Sequence, residues 1–454
     1  MTTSLGNKVL VAFAVTLFCG RSVNAQTNER AYESLELRAV TPGARAVAMG
    51  KTFVGIADDA TAAASNPAGL SNLLDPQASI EWTSANYRHR RVVNTDAHPP
   101  TKTFSQTVGF PSFVSVVLPL PPSHRLGSWT LAGFYNSLQR YAEHYVIPNY
   151  DDAGHMNPQG GYFGDMDIAA DAFGFSAAVL ALPWVSVGGA VTVQHLRFDV
   201  DSNTSSTDRP GEVRFRSGTV TLDTDATISG QAGVLVKPTA RLTAGVSYLR
   251  GSTFHLDTNI RGEFTDYPDG RTARTRRVED IFGESPVMRP IDYRLPDRVV
   301  AGLSFRWREA FTFVGDIGWI KYSQRVTPHF LIVDFLAQAK DAGLTSTLYR
   351  FDDVKEMHGG VEYRLLRGSK VVAVRGGVFT DPDHQMRFNY EVAPKNVVTE
   401  GQHIQFDLFD PGKGVGVTGG GGVVLKNRFQ IDGAMSWSAY GREVVVSSVV
   451  RFPR

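Results

Sequence analysis

Through much of the second half of this chain, apolar and polar residues take turns one at a time. In FQIDGAMSWSAY (429–440), Phe429, Ile431, Gly433, Met435, Trp437 and Ala439 fall on one face, and Gln430, Asp432, Ala434, Ser436, Ser438 and Tyr440 on the other. In RVVAGLSFRW (298–307), Val299, Ala301, Leu303, Phe305 and Trp307 oppose Val300, Gly302, Ser304 and Arg306. MHGGVEYRL (357–365) sets Met357, Gly359, Val361, Tyr363 and Leu365 against His358, Gly360, Glu362 and Arg364. A period of two is the period of a β-strand with one apolar face. Both a soluble sandwich and a membrane barrel meet that condition.

The connections separate the two. Strand signals run from about residue 77 to Phe452 and give roughly fourteen strands. Tight turns are expected near 182–184, 237–241, 307–309, 366–370 and 426–428, with a slightly longer one at PLPPSHRLG (119–127). Long polar segments lie between them, at about 88–103, 141–165, 201–219, 262–288, 324–353 and 382–411. Short and long connections therefore take turns, except that the last hairpin, at AYGR (439–442), is also short. Short turns on one side of a membrane and long loops on the other are the pattern of outer-membrane barrels, and a sandwich has no reason to sort loops by parity. Trp184, Trp307, Trp319 and Trp437 fall near strand ends, where aromatic girdles form. The fold class expected is all-β, a transmembrane antiparallel barrel of about fourteen strands. One long connection, HFLIVDFLAQAKDAG (329–343), has apolar residues at helical spacing and is expected to hold a short surface helix.

The beginning of the chain agrees with export. VLVAFAVTLFCG is an apolar core of signal-peptide length, and SVNAQ offers small residues for a cut after Ala25. Cys19 is the only cysteine, so the exported chain would carry neither disulfides nor thiolate metal sites. The 44 glycines exceed the usual share of about 7%, which suits a chain of many turns. The net charge of +1 points to no nucleic-acid partner. The expected organisation is a signal peptide at 1–25, an N-terminal hatch at 26–75 and a barrel at 76–454.

Residues 43–70 do not read as strand. Gly50-Lys51-Thr52 resembles the end of a phosphate-binding loop, but Arg45 stands where the first glycine is needed, and no buried strand precedes it. The segment is rich in Ala and Gly, carries Asp58-Asp59, and ends in Asn66-Pro67-Ala68-Gly69-Leu70, a turn signal. Small residues suit close packing in a confined space. On the polar faces of the strands, Arg306, Asp316, His358, Glu362, Arg364, Arg375, Asp432, Glu443 and Arg451 would point into the lumen. Such a wall could pair with Arg45, Lys51, Asp58 or Asp59 on a plug, or could simply line a water-filled channel.

GARAVAMGKTFVGIADDATAAASNPAGLSNL resembles the N-terminal hatch of the FadL/TodX family of outer-membrane transporters. The family pattern of a glycine- and alanine-rich start, an acidic pair and an Asn-Pro-Ala motif falls on Gly43, Gly50, Asp58, Asp59, Asn66, Pro67 and Ala68. The resemblance implies a fourteen-stranded barrel with a luminal hatch and passive uptake of long-chain fatty acids or other hydrophobic molecules across a bacterial outer membrane. The partners it implies are those ligands, outer-membrane lipid and the barrel assembly machinery. Two departures stand out. Lys51 fills a position usually held by a second glycine, and the chain ends on Pro453-Arg454 instead of an aromatic residue. A similar start occurs in PorV-type barrels, so a protein-secretion accessory is the alternative.

Catalytic chemistry is not expected. GVGVTG (414–419) matches a dinucleotide fingerprint but lies inside an alternating strand with no helix to follow, where glycines relieve crowding or allow a bend. No G-x-S-x-G occurs, and no His/Asp/Glu set has metal-site spacing. Neither a cofactor nor a metal is expected.

Overall fold

The computed structural model describes residues 39–92, 101–121, 128–150, 156–209, 212–266, 274–277, 288–330, 348–368, 370–382, 386–389, 414–439 and 441–453. The signal segment (1–25) and most of the expected surface helix (331–343) lie outside the described residues.

Fourteen antiparallel strands close into a barrel. They are β1 (Gln77–Val92), β2 (Thr101–Pro119), β3 (Trp129–Tyr150), β4 (Met156–Leu182), β5 (Val185–Arg209) and β6 (Glu212–Val236). Next come β7 (Leu242–Leu249 continuing as Thr253–Asp266) and β8 (Met288–Arg294 continuing as Arg298–Trp307), each bent once. The set ends with β9 (Phe311–Ile320), β10 (Val354–Arg367), β11 (Lys370–Asp381), β12 (Gly414–Leu425), β13 (Phe429–Ser438) and β14 (Gly441–Arg451). Closure comes from β1 pairing with β14 from Gln77↔Arg451 to Tyr87↔Gly441.

The alternation places side chains as the sequence implies. On β13, Phe429, Ile431, Met435 and Trp437 are exposed, while Gln430, Asp432, Ala434 and Ser436 are buried. On β8, Leu303, Phe305 and Trp307 are exposed and Ser304 is buried. An outward apolar face around a polar interior is the inverse of a soluble barrel, and it is stable only against lipid. Trp184 and Trp307 sit at the short-turn end, called lower below, and Trp319 and Trp437 toward the other end. Among the described residues, no helix is long and apolar enough to cross a membrane.

Two sequence expectations need correction. Segments 141–165 and 201–219 read as long loops, but β3 continues to Tyr150, β4 begins at Met156, and β5 and β6 run to Arg209 and from Glu212. These strands are 22, 27, 25 and 25 residues long. About 9–11 residues suffice to cross a bilayer. The remainder continues the ladder through a mostly polar sequence, in which no apolar face marks the strand period.

The ladder is interrupted between β2 and β3. They pair only from Phe113↔Asn136 to Pro119↔Thr130; above that, 101–112 and 137–150 share no ladder bonds. β3 is bulged at Leu138, between Ser137 and Gln139, and β2 at Ser112, next to Pro111 and opposite Glu81 and Trp82 of β1. Proline and bulges belong where a ladder ends. Part of the vacant edge of β3 is taken by the N-terminal segment. Ala39 bridges Gln139, and Val40 N–H donates to the Leu138 carbonyl at 3.0 Å.

Candidate functional site: the luminal segment and the cavity above it

Residues 40–73 circle the inside of the wall. Helix α1 (Ala44–Ala48) and helix α2 (Ala62–Ser65) are single turns, followed by a 3-10 turn at Pro67–Asn72. Their alanines are the reason they fit. Ala44, Ala46, Ala48, Ala62, Ala63 and Ala68 are completely buried. Small side chains bring this backbone against the wall, and the wall answers with inward glycines. A Cβ on Gly360 or Gly377 would overlap the Met49–Gly50 backbone, on Gly302 the Gly55 backbone, on Gly233 the Asn66 side chain, and on Gly188 the Pro67–Ala68 peptide. Gly420, in the fingerprint-like stretch of β12, faces the Ala48 methyl.

Of the nine inward charges named from the sequence, Asp316, His358, Glu362 and Glu443 contact this segment directly, and others connect to it through Glu362. Arg45 Nε donates to Glu362 at 2.9 Å, and Arg45 also bonds Asp58. Arg375 continues the chain to Glu362 at 2.7 Å and to Asp432 at 2.6 Å. Arg451 reaches Asp432 only through Gln430. Arg364 lies 3.4 Å from Glu362 and is partly exposed toward the lower mouth, while Arg306 is exposed there. Lys51 pairs with Glu443 at 3.1 Å. Asp316 accepts the Phe53 and Val54 amides at 2.8 and 3.0 Å, and His358 Nδ1 lies 2.8 Å from the Gly50 carbonyl, which assigns the proton to Nδ1. Asp58 thus meets Arg45 within the segment, while Asp59 bonds the Thr61 hydroxyl at 2.6 Å; burial pushes the Asp59 carboxyl up.

Asn66 is fully buried, with extended backbone before Pro67. Its Nδ2 donates to the Val54 carbonyl at 3.0 Å and to the Val234 carbonyl of β6 at 3.4 Å. One side chain therefore ties two passes of the segment to the wall. Gly43 and Gly50 have φ of 101° and 73°, and Lys51 has φ of 66°. The lysine that departs from the family pattern adopts the left-handed backbone that glycine takes freely. Its ion pair with Glu443, and its ammonium 5.0 Å from the Phe379 ring centroid, hold it there.

Above the segment lies a cavity of about 150 Å³. Its lower wall includes Phe53, Val54 and Ala64, and its sides include Phe134, Leu138, Leu249 and Val300. A second apolar cluster lies above it, with Tyr141, Ile168, Phe198, Phe254, Tyr293 and Phe330 among its members and Ile320 and Tyr322 shared with the cavity lining. Ala39, Val40 and Gln139 also line it, so the cavity borders the break between β2 and β3. Val40 packs there against Ala85, Tyr87 and Phe110.

No family model and no curated protein matches the sequence. Solved structures do. A FadL homologue of Pseudomonas aeruginosa superposes with a TM-score of 0.60 at 13% identity, covering 92% of this chain and 99% of that one. The fold is that of the FadL-type outer-membrane channels. The P. putida toluene transporter TodX has a TM-score of 0.58 at 14% identity, with coverage of 93% and 100%. The Ralstonia pickettii toluene transporter TbuX has 0.55 at 12%, covering 93% and 99%.

Sequence reasoning missed the inward glycines as a set and the cavity residues Asn136, Gln139, Gln194 and Arg325. The glycines had a signal, since each falls on the inward phase of its strand. Gln139 follows a bulge that shifts the phase, and Arg325 belongs to a loop with no period.

Proposed function

We propose that this chain is a bacterial outer-membrane channel for the passive uptake of hydrophobic molecules. The observation that carries the reading is the cavity's position: the luminal segment is below it, an apolar cluster above, and the β2–β3 break beside it. A hydrophobic molecule entering from the loop side would partition into the cluster, reach the cavity and leave sideways into the bilayer. Water would stay excluded by the hatch at 40–73. The Ala39–Val40 segment stands in the lateral route, and its withdrawal opens that route.

The cavity volume bears on the ligand. An apolar cavity of about 150 Å³ takes a single benzene ring. That size favours compact hydrophobic molecules over the long-chain fatty acids that the hatch resemblance implies. The structurally similar TodX and TbuX are toluene transporters. Mass spectrometry of organic extracts from the purified protein, beside those from an unrelated barrel purified alike, tests the reading. Enrichment of small hydrophobic molecules over that control supports it, and identical extracts count against it.

A further inference from the structure

Arg325, on the turn after β9, is 2% exposed and lines the cavity. Its guanidinium carbon lies 5.4, 5.5 and 5.7 Å from the ring centroids of Tyr293, Tyr322 and Phe351. It bonds the Tyr293 hydroxyl, while Nε has no partner. Among the described residues, no carboxylate pairs with it. Three aromatic faces stabilise a cation, but a buried charge without a counter-ion still costs free energy.

The rest of the lining has the same bias. Lys51, Arg250, Arg298 and Arg325 line the cavity against one carboxylate, Asp316. One oxygen of Asp316 accepts two amides of the luminal segment, and its other oxygen has no partner. Lys51 and Arg298 have acids of their own, Glu443 and Glu356, outside the lining. Arg250 is exposed, so the buried positive charge left over is that of Arg325. Tyr293 also connects it to a second donor, because the tyrosine hydroxyl donates to Gln139 Oε1 at 2.8 Å. The Gln139 amide nitrogen then has no partner, although the residue is 2% exposed. Asn136 and Gln194 likewise leave amide oxygens unbonded, so polar groups with unused capacity surround a space that is otherwise apolar.

We propose that the cavity takes a compact aromatic carboxylate, its anionic end on Arg325 and Gln139 and its ring against Phe134, Leu138 and Leu249. This rests on the reading of the chain as a channel for hydrophobic molecules and narrows it to a ligand class. The volume fits one ring, the apolar lining favours the ring over a small hydrated anion, and the unpaired guanidinium favours a carboxylate over a hydrocarbon.

The test is titration calorimetry of the full barrel in lipid nanodiscs at pH 7, with sodium benzoate, sodium acetate and toluene as separate probes. Benzoate should bind at least about tenfold more tightly than acetate or toluene, the margin of one charge-assisted bond combined with ring burial. Arg325→Gln should weaken benzoate by at least about tenfold and leave toluene unchanged. Folding of each variant is checked by its heat-dependent gel migration. If Arg325→Gln does not fold, Gln139→Leu takes its place with the same expected direction. Benzoate binding no tighter than acetate, or unchanged in the folded variant, overturns the proposal. Toluene binding alongside that result leaves the channel reading standing. If neither benzoate nor toluene binds, the ligand class is overturned and the channel reading loses its support as well.

Discussion

Arg45 shows how single residues tie the luminal segment down. It satisfies Glu362, which is 1% exposed, together with the Asp58–Asp59 pair. Removing one partner from a buried charge network typically costs about 3–5 kcal/mol, because the opposite charge remains. Arg45→Ala should therefore detach residues 44–72 without unfolding the barrel. Hydrogen exchange should show faster exchange in those amides and unchanged protection in β10 to β14; loss of protection throughout would argue against a separately docked segment. Asn66→Ala removes the bonds to the Val54 and Val234 carbonyls and should cost about 1–3 kcal/mol of docking. In planar bilayers it should give brief openings that the unaltered protein lacks. At this scale, the inward charges were legible because period two assigns each a face. Which charge meets which was not, since Arg45 and Glu362 are 317 positions apart and the register between segment and wall depends on the closed barrel.

Among the elements, the luminal segment and the β2–β3 break carry the account. The segment was legible from its small residues and its Asn-Pro turn, which do not suit a strand. The break was harder to see. Pro111 within an apolar strand was its only sequence signal, and the segment filling the vacant edge begins far away, at Ala39. The upper strands were misjudged for a physical reason, since backbone ladder bonds form in a polar sequence that shows no apolar face to read. Deleting residues 43–70 should leave an aqueous passage between Glu362, Arg375, Asp432 and Asp316. Single-channel recordings should then show steady ohmic conductance. Near-zero conductance in a deletion variant shown to be folded would mean that the segment does not plug the lumen.

For the whole molecule, the sorting of connections by length predicts an orientation. Epitope tags inserted after Asp266 should be reachable on intact cells, and tags in KPTAR (237–241) should not. Equal labelling at both sites would contradict the orientation. The strand count and the lipid-facing phase were legible because lipid imposes the same pattern on every strand that crosses it. The cavity was not, because loops and strands distant in sequence assemble it. The central claim, that hydrophobic molecules pass through the barrel and leave beside Val40, can be tested with one engineered bond. The bridge Ala39↔Gln139 places Val40 opposite Leu138, and Cys19 is the only natural cysteine. A Val40→Cys, Leu138→Cys pair would tie the N-terminal segment to β3 when oxidised and free it when reduced. The measurement is the initial uptake of radiolabelled toluene by intact cells carrying this double variant. Reduced cells should take it up faster than cells without the protein, and oxidised cells should fall to that background. Equal uptake in the oxidised and reduced states would contradict the lateral route, and uptake at background in both would contradict the channel itself.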